Sequence, residues 1–180
     1  MRNFRTISVF AATALVAAVG CSTGEDSAVT QGATTDADKV TVVDAWVRAA
    51  DDGMVPAFAE LTNEGGDDVQ ITGVSSTVSP VAEIHEVVTL GGQPVMQEKP
   101  DGITIAAGHT HVLEPGSDHF MLMGLSDPIT PGSQVVIILE FDDGSTQDVS
   151  FSGRNFAGGN ENYAPMDHST TEDHSDHETQ

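Results

Sequence analysis

Two histidines and two methionines stand in a pattern that packing alone does not require. His85 is followed by Met96 after ten intervening residues, and His119 and Met121 flank Phe120. Residues i and i+2 of a β-strand project from the same face, so His119 and Met121 are expected to point together. A thioether is a soft, neutral ligand that favours Cu(I), and imidazole binds copper in either oxidation state. The four residues therefore predict a copper site better than a zinc site.

A role in core packing instead of metal binding stays open for these residues, because methionine often fills irregular gaps in a core. Met123 has the strand parity of Met121, and we assign it to the core. Met54 has no histidine near it in the pattern, so we leave it out of the site. His109 and His111 also share strand parity. They are expected to form either a second small metal site or a pair of solvated polar positions.

The chain resembles the periplasmic copper chaperone family PCu(A)C, whose signature is His, ten residues, Met, twenty-one residues and His-X-Met. Besides the four residues above, the resemblance covers roughly residues 40 to 152 and includes Asp44-Ala45-Trp46-Val47-Arg48, Leu61-Thr62-Asn63 and Met121-Leu122-Met123-Gly124-Leu125. The sequence departs from this pattern in two ways. The gap between Met96 and His119 holds twenty-two residues, and the position after His85, often a second Met, is Glu86. We place the extra residue in the turn around Lys99-Pro100-Asp101-Gly102.

This resemblance implies a cupredoxin-like Greek-key fold in which His85, Met96, His119 and Met121 hold Cu(I). It also implies delivery toward the dinuclear copper centre of cytochrome c oxidase, alongside a thiol-bearing assembly protein or an oxidase subunit. Two alternatives stay open: an extracytoplasmic copper buffer or resistance lipoprotein without a dedicated acceptor, and a non-metal β-sandwich scaffold lipoprotein. An enzyme is not expected, since the sequence offers no plausible Ser/His/Asp set and most carboxylates fall in turns and tails.

Charge and cysteine content exclude several classes of protein. The 180 residues suffice for one domain of ordinary size with a hydrophobic core. The formal net charge is -22 with six Lys and Arg in all, so the chain cannot neutralise a phosphate backbone and nucleic acid is excluded as a partner. The single cysteine, Cys21, lies outside the predicted domain, which excludes structural disulfides and a thiolate ligand. A blue-copper electron carrier needs such a ligand and is therefore excluded.

The first twenty residues are predicted to be a lipoprotein signal peptide. Arg2 and Arg5 supply positive charge, and the apolar run from about Ile7 to Val19 is too short to span a bilayer comfortably. Small residues just before Cys21 resemble a bacterial lipobox, in which this cysteine is lipidated. It would then anchor the protein to the outer face of the bacterial cell membrane. Ordinary secretion with a stray thiol is the alternative, because Ala18 stands where Leu is more usual.

Composition divides the remaining chain into a tether, a domain and a tail. Residues 21–38 are mostly Ser, Thr, Gly, Ala and Asp, which predicts a flexible tether. Residues 39–155 contain short β-branched and aromatic runs at intervals of about ten residues, which predicts an all-β sandwich or barrel. Trp46 is assigned to its core. The run from Val81 to Leu90 carries His85, and Gly91-Gly92 is predicted to form a hairpin that returns Met96 alongside it.

Residues 156–180 are predicted to be a disordered acidic tail. Apolar content collapses after Phe156, while His168, His174 and His177 stand among acidic residues. Nitrogen and oxygen donors of this kind suit Cu(II), so the tail is a candidate secondary metal site that would collect Cu(II) and hand it inward for reduction. A merely solubilising tail is the alternative.

Overall fold

The computed structural model describes residues 34–158 and 162–163. Contacts divide the chain into two units, and the second, residues 33–180, contains every described helix and strand. A fragment that begins at Ser22 therefore keeps the whole described fold. No helix among the described residues is long and apolar enough to cross a membrane.

The described part of the chain is almost entirely β-structure, which confirms the all-β prediction. One short helix, α1 (Asp36–Lys39), precedes the strands. The strands are β1 Val40–Arg48, β2 Met54–Asn63, β3 Val69–Ser76, β4 Val81–Leu90, β5 Gln93–Glu98, β6 Ile103–Ile105, β7 Thr110–Leu113, β8 His119–Met123, β9 Gln134–Phe141, β10 Thr146–Arg154 and β11 Asn162–Tyr163.

Hydrogen bonds connect the strands in the order β11-β5-β4-β8-β2-β1-β10-β9-β3-β6, and β7 also pairs with β2. Most pairs are antiparallel, but β1 pairs in parallel with β10 and β11 with β5. Because β8 lies between β4 and β2, the chain returns to the middle of the strand order after β7. Such a return is typical of Greek-key connections. It places β8 against the strand that carries His85.

Alternating burial along the strands builds the core. Strand β9 shows the pattern clearly, since Val135, Ile137 and Leu139 are buried while Val136 is exposed. Trp46 does not belong to this core, contrary to the sequence prediction. It is only half-buried.

A two-residue turn between β4 and β5 fixes the position of Met96. Gly91 and Gly92 both have positive φ angles, +59° and +83°, which is the requirement of the tight turns that suit a twisted hairpin. This turn pairs Leu90 with Gln93 and, further along, Val87 with Met96. The predicted hairpin is confirmed, and the strand with His85 has the predicted bounds.

Asn63 ends β2 and organises the turn that follows. Its side chain is fully buried, and its amide nitrogen donates hydrogen bonds to the carbonyl oxygens of Asp67 at 2.8 Å and Ile105 at 2.9 Å. Its side-chain oxygen accepts a hydrogen bond from the Gly65 backbone at 2.9 Å. A buried polar group is stable only with such partners, so Asn63 stabilises the turn at the end of β2.

Two short elements lie within the segments predicted to be tether and tail. The flexible tether was predicted to reach residue 38, but helix α1 begins at Asp36, with Thr35 and Asp38 forming a capping box. The tail from residue 156 onward was predicted to be disordered, but β11 at Asn162–Tyr163 pairs with β5. Both elements are too short to produce a periodic sequence pattern.

Candidate metal centre

His85 and His119 are paired residues on the neighbouring strands β4 and β8. Residues directly opposite each other in an antiparallel pair have their side chains on the same face. The ring centroids are 5.7 Å apart with an interplanar angle of 68°. Both side chains are buried, with exposed fractions of 0% and 4%. Strand register thus holds two imidazoles side by side.

The two predicted methionine ligands lie on the same face as the histidines. Met121 follows His119 by two residues on β8, and Met96 on β5 is opposite Val87, two residues after His85 on β4. Both thioethers are buried. The structure therefore brings all four predicted ligand residues to one face of the β5-β4-β8 group, with the histidine pair between the two methionines.

A small cavity lies between three of these side chains, Met96, His119 and Met121. Its volume is about 10 Å³, near the lower limit for one water molecule. A pocket for an organic ligand is typically about 300 Å³ or more, so this cavity suits an ion rather than an organic substrate. Its walls are Met96, His119, Met121, Phe58, Pro56, Pro115 and Gly116. His85 is not part of these walls, and its ring lies 5.7 Å from that of His119.

Both imidazole rings are oriented by hydrogen bonds. Nε2 of His85 is 2.8 Å from Oε2 of Glu83, which precedes it by two residues on β4. Nδ1 of His119 is 2.9 Å from the backbone oxygen of Ser117. The two rings are therefore held through different nitrogen atoms.

An aromatic cluster packs beside His119. Phe58 on β2 has its ring centroid 6.1 Å from that of His119 and 4.6 Å from that of Trp46 on β1. Phe156 contacts both aromatic rings, at 5.2 Å from Trp46 and 6.1 Å from Phe58. Arg154 lies over the Trp46 ring at 5.6 Å, a cation–π contact. Sequence analysis missed this cluster, although Trp46 belongs to one of the stretches that carry the resemblance.

The outward-facing neighbours of the two histidines form an ion-pair network. Lys99 lies 3.3 Å from both Glu86, which follows His85, and Asp118, which precedes His119. Hydrogen bonds from Gln97 and then Lys99 hold the pKa of Glu86 below its ordinary value. Burial disfavours the charge on Lys99, but attraction to Asp118 and hydrogen bonds to both carboxylates outweigh it and raise its pKa. Glu86 thus connects β4 to β8 and points away from the site.

The remaining predicted candidates do not join the four. His109 lies immediately before β7, and its backbone oxygen accepts a hydrogen bond of 2.9 Å from the Asn63 backbone. Its Nδ1 is 2.9 Å from the oxygen of Ala107, whereas Nε2 of His111 is 3.1 Å from Asp118. Within residues 34–158, no group of three or more His, Cys, Asp or Glu side chains is arranged to hold a metal ion.

The two other methionines of the domain form a separate pair. Met54 is opposite Met123 in the β2–β8 pairing. Met54 is 38% exposed, and Met123 is half-buried rather than a core residue as predicted. The predicted lipidation site Cys21 and the tail residues His168, His174 and His177 lie outside the described residues.

The sequence is similar to those of known lipoproteins. A family model described as "Putative lipoprotein LpqE-like" matches residues 40–152. The "Putative lipoprotein Lxx21020" of Leifsonia xyli subsp. xyli, strain CTCB07, is 42% identical over 127 residues, which are 71% of this chain and 76% of that protein.

Solved structures of similar fold carry copper-related names. Apo-DR1885 from Deinococcus radiodurans is 27% identical, with a TM-score of 0.54 over 86% of this chain and 98% of that chain. The CuI form of the same protein matches with 24% identity and a TM-score of 0.51, over 70% and 87%. The apo PCuAC domain from PmoF1 is 19% identical, with a TM-score of 0.57 over 68% and 98%. The predicted cupredoxin-like fold and the resemblance to PCu(A)C domains are confirmed, and the chain belongs to the LpqE-like lipoprotein family.

Proposed function

We propose that the protein is an extracytoplasmic copper metallochaperone that binds Cu(I) through His85, Met96, His119 and Met121. The observation that carries this proposal is a cross-strand histidine pair on the same face as two buried thioethers, with His119, Met96 and Met121 around a cavity of about 10 Å³. The CuI form of DR1885 supports the choice of metal, since this chain shares that fold.

The chemistry of these four ligands favours Cu(I) over Cu(II). Thioether sulfur is a soft donor and prefers the softer, reduced ion. Neutral imidazole and thioether groups add no negative charge, so a bound ion keeps its full charge in a buried site. Burying one positive charge costs less than burying two, which again favours the monovalent ion. A site without thiolate can release its metal to an acceptor that offers thiolate ligands.

The proposed destination is the dinuclear copper centre of cytochrome c oxidase, reached through a thiol-bearing assembly protein or directly through an oxidase subunit. The lipoprotein family supports a place at the membrane, with lipidated Cys21 as the anchor on its outer face. We assign His168, His174 and His177 a secondary role in collecting Cu(II). A copper buffer without a dedicated acceptor is the second candidate, favoured by these same tail histidines. Transfer of Cu(I) to an apo acceptor with cysteine ligands separates the chaperone from the buffer.

An anaerobic competition titration tests the site itself. The fragment from Ser22 to Gln180 is titrated with Cu(I) against a chromophoric chelator, and one tight equivalent is expected. The double variant M96L/M121L keeps the apolar volume and should fold normally. Its Cu(I) affinity should fall by more than about 100-fold, because loss of a group that only supports a metal ligand already costs about 10- to 100-fold.

The chain offers a matched control for this experiment. The variant M54L/M123L makes the same two chemical changes on the other methionine pair and should keep the affinity of the unmodified protein. Equal affinity of M96L/M121L and the unmodified fragment would show that these thioethers only pack. If the unmodified fragment bound no Cu(I), the four residues would all be packing residues and the protein would be a β-sandwich lipoprotein of a different function.

A further inference from the structure

A partly exposed carboxylate is hydrogen-bonded to the most buried residue of the site. Glu83 and His85 lie two residues apart on β4 and therefore share a face. Oε2 of Glu83 is 2.8 Å from Nε2 of His85, and the side chains have exposed fractions of 23% and 0%. Glu83 is also the cross-strand partner of Met121. The carboxylate thus lies on the same face as the proposed copper ligands, at the edge open to solvent.

This hydrogen bond determines where the imidazole of His85 carries its hydrogen atom. A carboxylate oxygen accepts hydrogen bonds and donates none, so the hydrogen of this contact belongs to Nε2. In a neutral imidazole with hydrogen on Nε2, the lone pair is on Nδ1. A metal ion is bound by the lone pair. Glu83 therefore selects Nδ1 as the ligand atom of His85.

The opposite arrangement holds at His119. Its Nδ1 is 2.9 Å from the carbonyl oxygen of Ser117. A carbonyl oxygen also only accepts, so Nδ1 carries the hydrogen and Nε2 has the lone pair. The paired histidines are thus prepared to bind through different nitrogen atoms.

A purely structural interpretation of the Glu83–His85 contact is that a buried polar atom needs a partner. Two features go beyond that need. The ring of His85 contacts the ring of His119 at 5.7 Å, so its orientation affects the second proposed ligand. A carboxylate that accepts from a metal-bound imidazole also fixes the ring orientation and raises its basicity.

We propose that Glu83 is a positioning residue of the copper site, which holds His85 in the form with hydrogen on Nε2 so that Nδ1 binds Cu(I), while His119 binds through Nε2. The proposal rests on the proposed function, in which both histidines are copper ligands. The hydrogen positions themselves can be measured without copper.

Long-range ¹H–¹⁵N correlation spectra of the ¹⁵N-labelled fragment Ser22–Gln180 test these assignments. Without metal, His85 should carry hydrogen on Nε2 and His119 on Nδ1. After one equivalent of Cu(I) under anaerobic conditions, the resonances of His85 Nδ1 and His119 Nε2 should shift most. Hydrogen on Nδ1 of His85, or a dominant shift of its Nε2, would overturn the proposal.

Three variants add an affinity test. E83L removes the acceptor and should weaken Cu(I) binding by about 10- to 100-fold. E83Q keeps a side-chain oxygen that accepts from Nε2 and should restore most of the affinity together with the hydrogen position. E98L is the matched control, because Glu98 is the cross-strand partner of His85 on β5 while the hydrogen bond goes to Glu83. Wild-type affinity in E83L would reject the positioning role. If E83L does not fold, the spectra of E83Q and of the wild-type fragment provide the test instead.

The two proposals fail in different ways. If the unmodified fragment binds no Cu(I), the proposed function and the copper role of Glu83 are both wrong, whatever the metal-free spectra show. If it binds one Cu(I) but His85 carries its hydrogen on Nδ1, the function stands and the role of Glu83 is wrong.

Discussion

Gly102 closes the turn between β5, which carries Met96, and β6, and this turn has no room for a side chain. Its φ angle is +67°, and an added Cβ would collide with the backbone oxygen of Ile71. We expect G102A to lower the free energy of unfolding by about 2 kcal/mol or more, since the positive φ alone costs roughly 1–2 kcal/mol. Urea unfolding of the Ser22–Gln180 fragment measures the change.

Gly108 is the matched control for this prediction. It has a similar φ of +70°, but an added Cβ would meet no atom within 4 Å. G108A should therefore cost about 1 kcal/mol from backbone strain alone. Equal losses in the two variants would show that the collision with Ile71 is relieved by a shift of the backbone.

At the scale of single residues, sequence predicted which side chains share the face of the candidate site but not the residues that contact them. The i, i+2 rule placed His119 and Met121 on one face, and the glycine turn predicted that Met96 returns beside His85. Glu83 gives no sequence signal, because an acidic residue on a strand is usually a solvated position. Phe58 is likewise an ordinary core residue in the sequence. Only its packing against Trp46 and His119 reveals its place in the site.

Helix α1 is attached to the β-domain through the turn between β9 and β10. The Asp36 backbone donates a hydrogen bond of 2.8 Å to Asp143, and the Ala37 backbone donates one of 3.1 Å to Ser145. Hydrogen bonds from the Ser145 side chain, then from the Asp36 and Ser145 backbones, lower the pKa of Asp143 below its ordinary value of 3.8. These contacts hold Asp36 and Ala37, which fall within the predicted tether, against the β-domain.

The lowered pKa of Asp143 predicts a pH dependence of stability. A carboxyl with a lower pKa in the folded state stabilises it above the unfolded value, and this contribution is lost as pH falls through the folded value. D143N should therefore be less stable than the unmodified fragment at pH 6, and the difference should shrink between pH 5 and pH 3. Urea unfolding across this range measures it.

D142N is the control for this pH prediction, since it removes an equal charge from the neighbouring residue but leaves the bonds to Asp36 and Ser145. The stability difference between D142N and the unmodified fragment should not change with pH in the way expected for D143N. A constant difference for D143N from pH 6 to pH 3 would mean that the bonds to Asp143 do not stabilise its ionised form.

At the scale of elements, sequence predicted a succession of strands and the β4–β5 hairpin, but missed helix α1, strand β11 and the long-range strand pairing. The alternation in β9 and the β-branched run of β4 are long enough to detect. Helix α1 has four residues and β11 has two, which is shorter than either period needs. The parallel pairing of β1 with β10 joins residues more than a hundred positions apart. Such pairing depends on packing of the whole domain, and local pattern does not contain it.

The whole chain is strongly acidic, and the basic side chains in its described part all have partners. Within residues 34–158, the four basic side chains are Lys39, Arg48, Lys99 and Arg154, and each contacts a carboxylate or a backbone oxygen. Removal of the first twenty residues would take away two further basic residues and no acidic ones. The surplus carboxylates raise the local concentration of cations in general, but they do not distinguish copper from calcium. Under the proposed function, selectivity for copper must therefore come from the four proposed ligands, which are buried.

The tail histidines follow a strand that lies beside the proposed copper site, because Tyr163 on β11 is paired with Met96 on β5. His168 follows Tyr163 by five residues, which span at most about 18 Å of chain. A truncation that ends at Tyr163 should therefore remove the tail histidines and keep β11 on the edge of β5. We expect it to lower the Cu(II) stoichiometry, measured by equilibrium dialysis, and to leave the Cu(I) affinity unchanged.

A second truncation, which ends at Gly158 and removes more of the chain, distinguishes the effect of the tail histidines from that of strand β11. It also removes β11, so β5 loses the backbone hydrogen bonds along its outer edge and Met96 is held less firmly. We expect this variant to lose the same Cu(II) capacity and, in addition, to bind Cu(I) several-fold more weakly. If both truncations kept the full Cu(II) stoichiometry, the tail would only solubilise the protein. If both bound Cu(I) as tightly as the full fragment, β11 would have no part in holding Met96, and the β4–β5 hairpin alone would position this ligand.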